Sequence, residues 1–332
     1  MVPYKLAHYM CADSQPIQPP AEIIQNLVLH GCRDITANVQ TRTCSEFPVA
    51  NGGFGDVYRG QLNNGTQIAI KCMRIFESPD VEAQQTHLKH AAREIYTWSK
   101  LQHPHILSLL GLAEYRGRIS MVSPWIQGGP ARYHLKRVSK PVDWPLLCMK
   151  IADALLYLHQ SGVIHGDLKG DNILVSEDTG EPFVTDFGNA VLQEHTLQFA
   201  ATSSTRQHIS SRWTAPEIWH GGLRSFEADI FALGMEVITR DVPYAGMGDA
   251  AVMFAILKSE HPKRPETHVP STNEHGDILW SLLEDCWMAD PAMRPVAMTV
   301  RDKVKGLEHW WIPVNGRHEQ MRGLNLENLT AR

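Results

Sequence analysis

The segment His165-Gly166-Asp167-Leu168-Lys169-Gly170-Asp171-Asn172 gathers carboxylates, an ammonium and an amide between two apolar stretches, SGVI before it and ILV after it. A loop between two buried strands would present all of those groups on one side. Asp167 could accept the proton of an attacking hydroxyl, Lys169 could neutralise a transferring phosphate, and the Asn172 side-chain oxygen could ligate magnesium. Packing alone does not explain so many polar functions so close together. Asp186 follows the apolar run FVT in Asp186-Phe187-Gly188. It supplies a second hard oxygen ligand, and Gly188 lets the chain turn away.

Further upstream, Ala50 to Val57 reads A-N-G-G-F-G-D-V. Gly52, Gly53 and Gly55 between two strands would let backbone N–H groups approach phosphate oxygens, although a glycine-rich hairpin is also an ordinary turn. Lys71 ends the run Ile68-Ala69-Ile70 on the strand after that hairpin. There its ammonium could pair with phosphates, or simply stand on an exposed strand face. Glu94 lies in the middle of an amphipathic helical pattern and is the natural counter-ion for Lys71 if that helix packs on the sheet. A partly buried pair of this kind adds little stability, so at a cleft it points to positioning. A lone glutamate on a helix is otherwise only solvated.

The elements that must hold these residues are legible in outline. Strand signals begin at Glu46, and Asn64-Gly65 offers a hairpin turn before the strand TQIAIKCMRIF. HLKHAAREIYTWSKLQ places Leu88, Ala91, Ala92, Ile95, Trp98 and Leu101 at helical spacing, and His103-Pro104 closes it. Further strands are expected at Ile106 to Leu112 and Arg118 to Ile126, before the break Gln127-Gly128-Gly129-Pro130. Beyond it Asp143 reads as an N-cap with Pro145 in the first turn, and helices are expected at Phe226 to Arg240, Ala250 to Lys258, Ile278 to Met288 and Pro295 to Trp310. A small β-rich lobe therefore precedes a larger helical one. The expected divisions are an extension at 1–45, an amino-terminal lobe at 46–127, a carboxy-terminal lobe at 128–310 and a tail at 311–332. Within the extension, Ala21 to Leu29 reads as a short helix, and the segment as a whole as a loosely docked one.

Composition narrows the function classes. With 31 basic and 36 acidic side chains the chain carries a formal charge of −5, so it lacks a broad cationic field for nucleic acid or an anionic membrane. Six cysteines without a C-x-x-C pair read as free thiols of a reducing compartment. No leader-like start or spanning apolar run is found. The expectation is a cytoplasmic protein without a membrane span or a nucleic-acid partner, its oligomeric state open.

Taken in order, these motifs resemble the eukaryotic protein kinase superfamily from about Phe47 to Leu307. The matching residues are the glycine-rich loop, I-A-I-K, the helix glutamate, H-G-D-L-K-G-D-N, D-F-G, Ala215-Pro216-Glu217 and Asp229 in ADIFALG. The resemblance implies a bilobal α+β fold, with a small antiparallel sheet and one regulatory helix in the first lobe and a mainly helical second lobe. It implies ATP and Mg²⁺ as cofactors and protein substrates as partners, in signalling. Asp167 would orient the substrate hydroxyl, Lys169 would act beside it, Lys71 would hold the α/β-phosphates with Glu94 as its partner, and Asn172 and Asp186 would hold magnesium. Val57, Ala69 and Leu174 would line the adenine pocket, Pro124 and Ile126 would supply hinge hydrogen bonds, and Ser123 would stand at the gate behind the adenine. Asp229 would brace the catalytic loop, and Arg294 would pair with Glu217.

Lys169, two residues after Asp167, and Ser210 resemble the serine/threonine pattern, whereas Arg212-Trp213 and Asp285-Cys286-Trp287 resemble tyrosine kinases and their relatives. The combination is similar to the tyrosine-kinase-like Ser/Thr branch, as found in mushroom-forming fungi, with dual specificity left open. Two departures stand out. Ala50 replaces the first loop glycine, and Gly166 replaces an arginine that commonly pairs with an activation-loop phosphate, which implies weaker dependence on that switch. Thr196, Thr202, Ser203, Ser204, Thr205, Ser210 and Ser211 are candidate phosphosites in a serine-rich loop. The alternative to an enzyme is a pseudokinase, an ATP-binding scaffold without turnover.

Overall fold

Alternation along two paired strands decides how the amino-terminal half is built. The computed structural model describes residues 20–51, 55–74, 81–137, 143–192, 210–238, 242–266 and 269–307. Helix α1 spans Pro20–Leu29. An antiparallel sheet follows in the order β1-β2-β3-β5-β4, with β1 at Ala50–Asn51, β2 at Gly55–Gln61, β3 at Gln67–Met73, β4 at Gly111–Tyr115 and β5 at Arg118–Pro124. The β2–β3 turn carries Gly65 at φ +85°, the left-handed region that a residue without Cβ enters freely. Along β3, Ile68, Ile70 and Cys72 are buried on one face, and Ala69 and Lys71 occupy the other.

The face carrying Ile68 and Ile70 is covered by the chain that precedes the sheet. Ile35 and Val39 join Tyr58, Ala113, Tyr115 and Val122 in one apolar cluster there. The backbone is tied down as well: Ile35 N–H donates to the Leu112 carbonyl at 2.8 Å, and Leu112 N–H donates to the Arg33 carbonyl at 2.7 Å. Those bonds satisfy the outer edge of β4, which would otherwise be an open template for another strand. Gln40 and Ser45 donate in the same way to the carbonyls of Gln61 and Arg59. Ile23, Ile24 and Leu27 of α1 are buried in the core. The expectation of a loosely docked extension is therefore corrected for residues 20–45, which are part of the lobe's packing; residues 1–19 lie outside the described part.

Helix α2, Val81–Ser99, packs on the opposite face through Leu88, Ala91, Ala92, Ile95 and Trp98, the stripe its spacing predicts. These meet Met73, Leu112, Ile119 and Met121 of the sheet and the apolar positions of α1. Each fully buried Leu or Ile there contributes on the order of 2 kcal/mol. The strand expected at Ile106 to Leu112 begins only at Gly111. Residues 105–107 instead bond to the second lobe: Leu107 N–H donates to the Val184 carbonyl at 2.9 Å, and Val184 N–H to the His105 carbonyl at 2.8 Å.

The second lobe is mainly helical. It contains α3 (Ala131–Arg137), α4 (Trp144–Gln160), α5 (Pro216–Trp219), α6 (Phe226–Ile238), α7 (Asp249–Leu257), α8 (Glu274–Cys286) and α9 (Ala297–Lys305). Asp143 caps α4 as expected, accepting the Leu146 N–H at 3.0 Å. Short strands β6 (Val163–Ile164), β7 (Ile173–Val175), β8 (Pro182–Val184) and β9 (Val191–Leu192) pair as β6 with β9 and β7 with β8. Those two ribbons lie at the lobe junction and hold the loops that carry Asp167 and Asp186. The whole is a bilobal α+β fold. The described cysteines are free thiols, and among the described residues no helix is long and apolar enough to cross a membrane.

Candidate active site

Strand alternation turns Lys71 toward the second lobe, and α2 turns Glu94 toward Lys71. The Lys71 Nζ lies 2.7 Å from Glu94 Oε1 and 2.8 Å from Asp186 Oδ1, so one ammonium joins sheet, helix and second lobe. Burial alone would lower the lysine's pKa, but the Asp186 and Glu94 carboxylates beside it raise it above the usual value. Burial likewise works to raise Asp186, yet the ammonium prevails and holds its carboxyl below the ordinary range. Glu94 is enclosed more deeply, and burial raises it despite the ion pair. Asp186 sits at φ +65°, an uncommon conformation for a residue with a side chain, of the kind found at functional turns. Phe187 next to it is buried between Trp98 and His165, with ring centroids at 6.1 and 5.5 Å.

The loop bearing Asp167 is gripped from below by α6. Asp229, in that helix's first turn, accepts the His165 and Gly166 N–H groups at 2.8 Å each and lies 3.1 Å from the His159 ring. Above this brace the Asp167 carboxylate has three neighbours. Lys169 Nζ donates to its Oδ2 at 2.7 Å, and the Ser210 hydroxyl donates to its Oδ1 at 2.6 Å. Lys169 also reaches the Ser210 oxygen at 2.7 Å. Asn172 Nδ2 donates to the Asp167 carbonyl at 2.8 Å and to Oδ2 at 3.2 Å, which leaves the amide oxygen on the opposite side of the group.

That amide oxygen and the Asp186 carboxylate are hard donors. Among the described residues no cluster of three or more His, Cys, Asp or Glu is placed to cage a metal. A magnesium ion, which takes one or two protein oxygens and completes its shell with phosphate and water, fits this donor set.

The remaining candidates divide by place. Val57 pairs with Lys71 across β2 and β3, and Ala69 pairs with Ser123 across β3 and β5, so these side chains share the face that carries Lys71. Val57 and Ala69 are half-buried and Ser123 is buried. Pro124 ends β5 opposite Ile68, and Ile126 follows half-buried. Leu174 is the half-buried middle residue of β7. Ala50 is exposed on β1, opposite Val57. Gly55 opens β2 where a Cβ would stand 2.3 Å from the Cys72 carbonyl oxygen, so close strand approach already requires glycine there. Gly52 and Gly53 lie outside the described residues, as do the phosphosite candidates from Thr196 to Thr205.

Sequence reasoning missed three contributors. Glu236 of α6 is buried, and its Oε2 accepts the Gly170 N–H at 2.7 Å and the Trp213 Nε1–H at 3.0 Å. Burial pushes its pKa up to about 7, against those two donors. Trp213 was legible as a motif residue, not as the partner of a buried acid. Arg224, between α5 and α6, lies against Gly166, and no pattern in the chain announces it. Arg294 does meet Glu217 in a bidentate pair, 2.7 Å at each oxygen, fastening the Ala215-Pro216-Glu217 turn to the helical lobe.

A bilobal fold with a lysine, a helix glutamate and two loop aspartates converging at the lobe junction is that of the protein kinases. Residues 45–304 match the family described as protein tyrosine and serine/threonine kinase, and the chain belongs to it, within the eukaryotic protein kinase superfamily. It is 34% identical over 260 residues to a probable serine/threonine-protein kinase of Dictyostelium discoideum, covering 76% of this chain and 26% of that one. A second similar protein of that organism, the probable serine/threonine-protein kinase roco5, is 30% identical over 271 residues, 77% of this chain and 9% of that one. Human mitogen-activated protein kinase kinase kinase 11 is 29% identical over 274 residues, 77% of this chain and 30% of that one. The chain thus spans less than a third of the length of each of these relatives.

Proposed function

We propose that this chain transfers the γ-phosphoryl of ATP to serine or threonine hydroxyls of protein substrates. The observation that carries the reading is the Ser210 hydroxyl, which donates to Asp167 at 2.6 Å while Lys169 bridges both groups. Asp167 already receives an alcohol O–H there, with a fixed positive charge at the same point. A substrate hydroxyl taking up that direction would pass its proton to the carboxylate as the oxygen–phosphorus bond forms and the bond to the leaving diphosphate breaks. Lys169 would offset negative charge on the transferring group, and Lys71, held by Glu94, would orient the remaining phosphates. Asn172 and Asp186 would hold magnesium, which when bound neutralises phosphate charge. Val57, Ala69, Ser123, Pro124, Ile126 and Leu174 would receive the base, and Ala50, Gly52, Gly53 and Gly55 would form the loop over the phosphates.

Lys169 and Ser210 support the serine/threonine assignment, and the serine/threonine kinases among the similar proteins accord with it. The His165-Gly166-Asp167 run and the Ser123-Pro124-Trp125 hinge support a further kinship with kinases of mushroom-forming fungi. The test compares wild type with Asp167→Asn on serine, threonine and tyrosine peptides with ATP and magnesium. Transfer to serine or threonine should fall at least ~100-fold in the variant. Equal background in both proteins would assign the chain to the scaffold class instead.

A further inference from the structure

Gly166 stands where a side chain cannot. Its φ is +74°, and a Cβ there would lie 2.7 Å from Arg224 Cδ and 2.7 Å from the Asn189 carbonyl oxygen. The space beside the catalytic loop is thus filled by an arginine from elsewhere in the chain. Arg224 Nη1 donates to that same Asn189 carbonyl at 2.9 Å, one residue past the Asp186-Phe187-Gly188 turn. The side chain is half-buried and lies within electrostatic reach of both Asp167 and Asp229, and of His90 on α2.

Arg224 also occupies a particular place in the fold. The next residue, Ser225, accepts the Ala228 N–H at 3.1 Å and opens α6, the helix whose Asp229 holds the His165 and Gly166 amides. One helix start therefore meets the catalytic loop twice: Asp229 accepts from its backbone, and Arg224 covers its glycine and reaches across to the segment after Asp186. The Asp167 loop and the segment three residues past Asp186 thus share a support at the start of α6.

We propose that Arg224 is a positioning residue for phosphoryl transfer, its guanidinium locking the Asp167 loop to the Asp186 turn through the space that Gly166 leaves open. The role rests on the phosphotransfer reading above. It also alters what Gly166 implies: a guanidinium is present beside the catalytic loop although position 166 does not supply it.

The experiment uses the full chain and compares wild type with Arg224→Met, Arg224→Lys, Arg224→Ala, Gly166→Ala and Gly166→Ala/Arg224→Ala. Arg224→Met should lower kcat at least tenfold with the KM for ATP within about twofold, and Arg224→Lys should recover part of the loss. Gly166→Ala should be more damaging in wild type than in the Arg224→Ala background, since the arginine it displaces is already gone there. Hydrogen exchange of residues 186–192 provides a readout independent of turnover, and it should quicken at least tenfold in Arg224→Met. Unchanged exchange in that variant overturns the inference whether or not the wild type is active. So does unchanged kcat in an active enzyme. An inactive wild type with the faster exchange would remove the phosphotransfer reading and leave the lock in place.

Discussion

At the scale of single residues the site is a set of shared charges. Lys71 serves two carboxylates, Asp167 collects an ammonium, an amide and a hydroxyl, and Asp229 serves two backbone N–H groups. Glu236 is the exception, because it is buried and, among the described residues, the donors to its carboxylate are the neutral Gly170 N–H and Trp213 Nε1–H. Its folded pKa stands near 7 against an ordinary 4.5. Between those values the folded state binds the extra proton, so stability is lost as pH rises through the window, by roughly 3 kcal/mol once both states are ionised. Glu236→Gln should remove that component: relative to wild type, the variant should gain urea stability between pH 5 and pH 8. Parallel pH profiles for the two proteins would refute the assignment. Lys71, Glu94, Asp167, Asn172 and Asp186 were legible because each sits in a short pattern whose apolar neighbours fix its direction. Glu236 was not, because in ADIFALGMEVI nothing local says which turn of the helix meets a loop about 66 residues upstream.

At the scale of elements, the amino-terminal sheet packs on both faces, leaving Val57 and Ala69 half-buried beside Lys71. The period of α2 was readable, and so was the helix at Pro20–Leu29. What could not be read was the surface that α1 covers, because docking depends on contacts with β4 and β5 that lie far along the chain. Its Leu27 is fully buried beside the apolar residues of α2 and the sheet. Leu27→Ala should therefore cost about 2–5 kcal/mol, the range of a core truncation. A loosely attached helix would lose under about 0.5 kcal/mol, as surface substitutions do. Urea unfolding of the full chain separates the two outcomes. The strand that began late at Gly111 has the same origin: Ile106 and Leu107 look like strand residues, but their backbone partners belong to β8 in the other lobe.

At the scale of the whole molecule, backbone and side-chain polar contacts join the lobes, among them Leu107 to Val184 and His103 to Asp153, and Lys71–Asp186 lies at the proposed phosphate site. A nucleotide held there would contact β3 from the first lobe and the Asp186 turn from the second, so its binding free energy would add directly to the stability of the joined form. At a hundredfold excess over Kd that linkage is about 2.7 kcal/mol. A non-hydrolysable ATP analogue with magnesium should accordingly raise the unfolding midpoint of wild type. Lys71→Met should erase the rise, because the phosphates lose their cation, and Asp186→Asn should erase the part that depends on magnesium. The two variants thus report separately on phosphate and on metal. Adenosine alone, which reaches only the base-binding residues, should shift the midpoint less and without regard to magnesium. A wild-type midpoint indifferent to millimolar analogue would mean that the lobe junction does not hold a nucleotide, and the ion pairs at Lys71 would then be structural only.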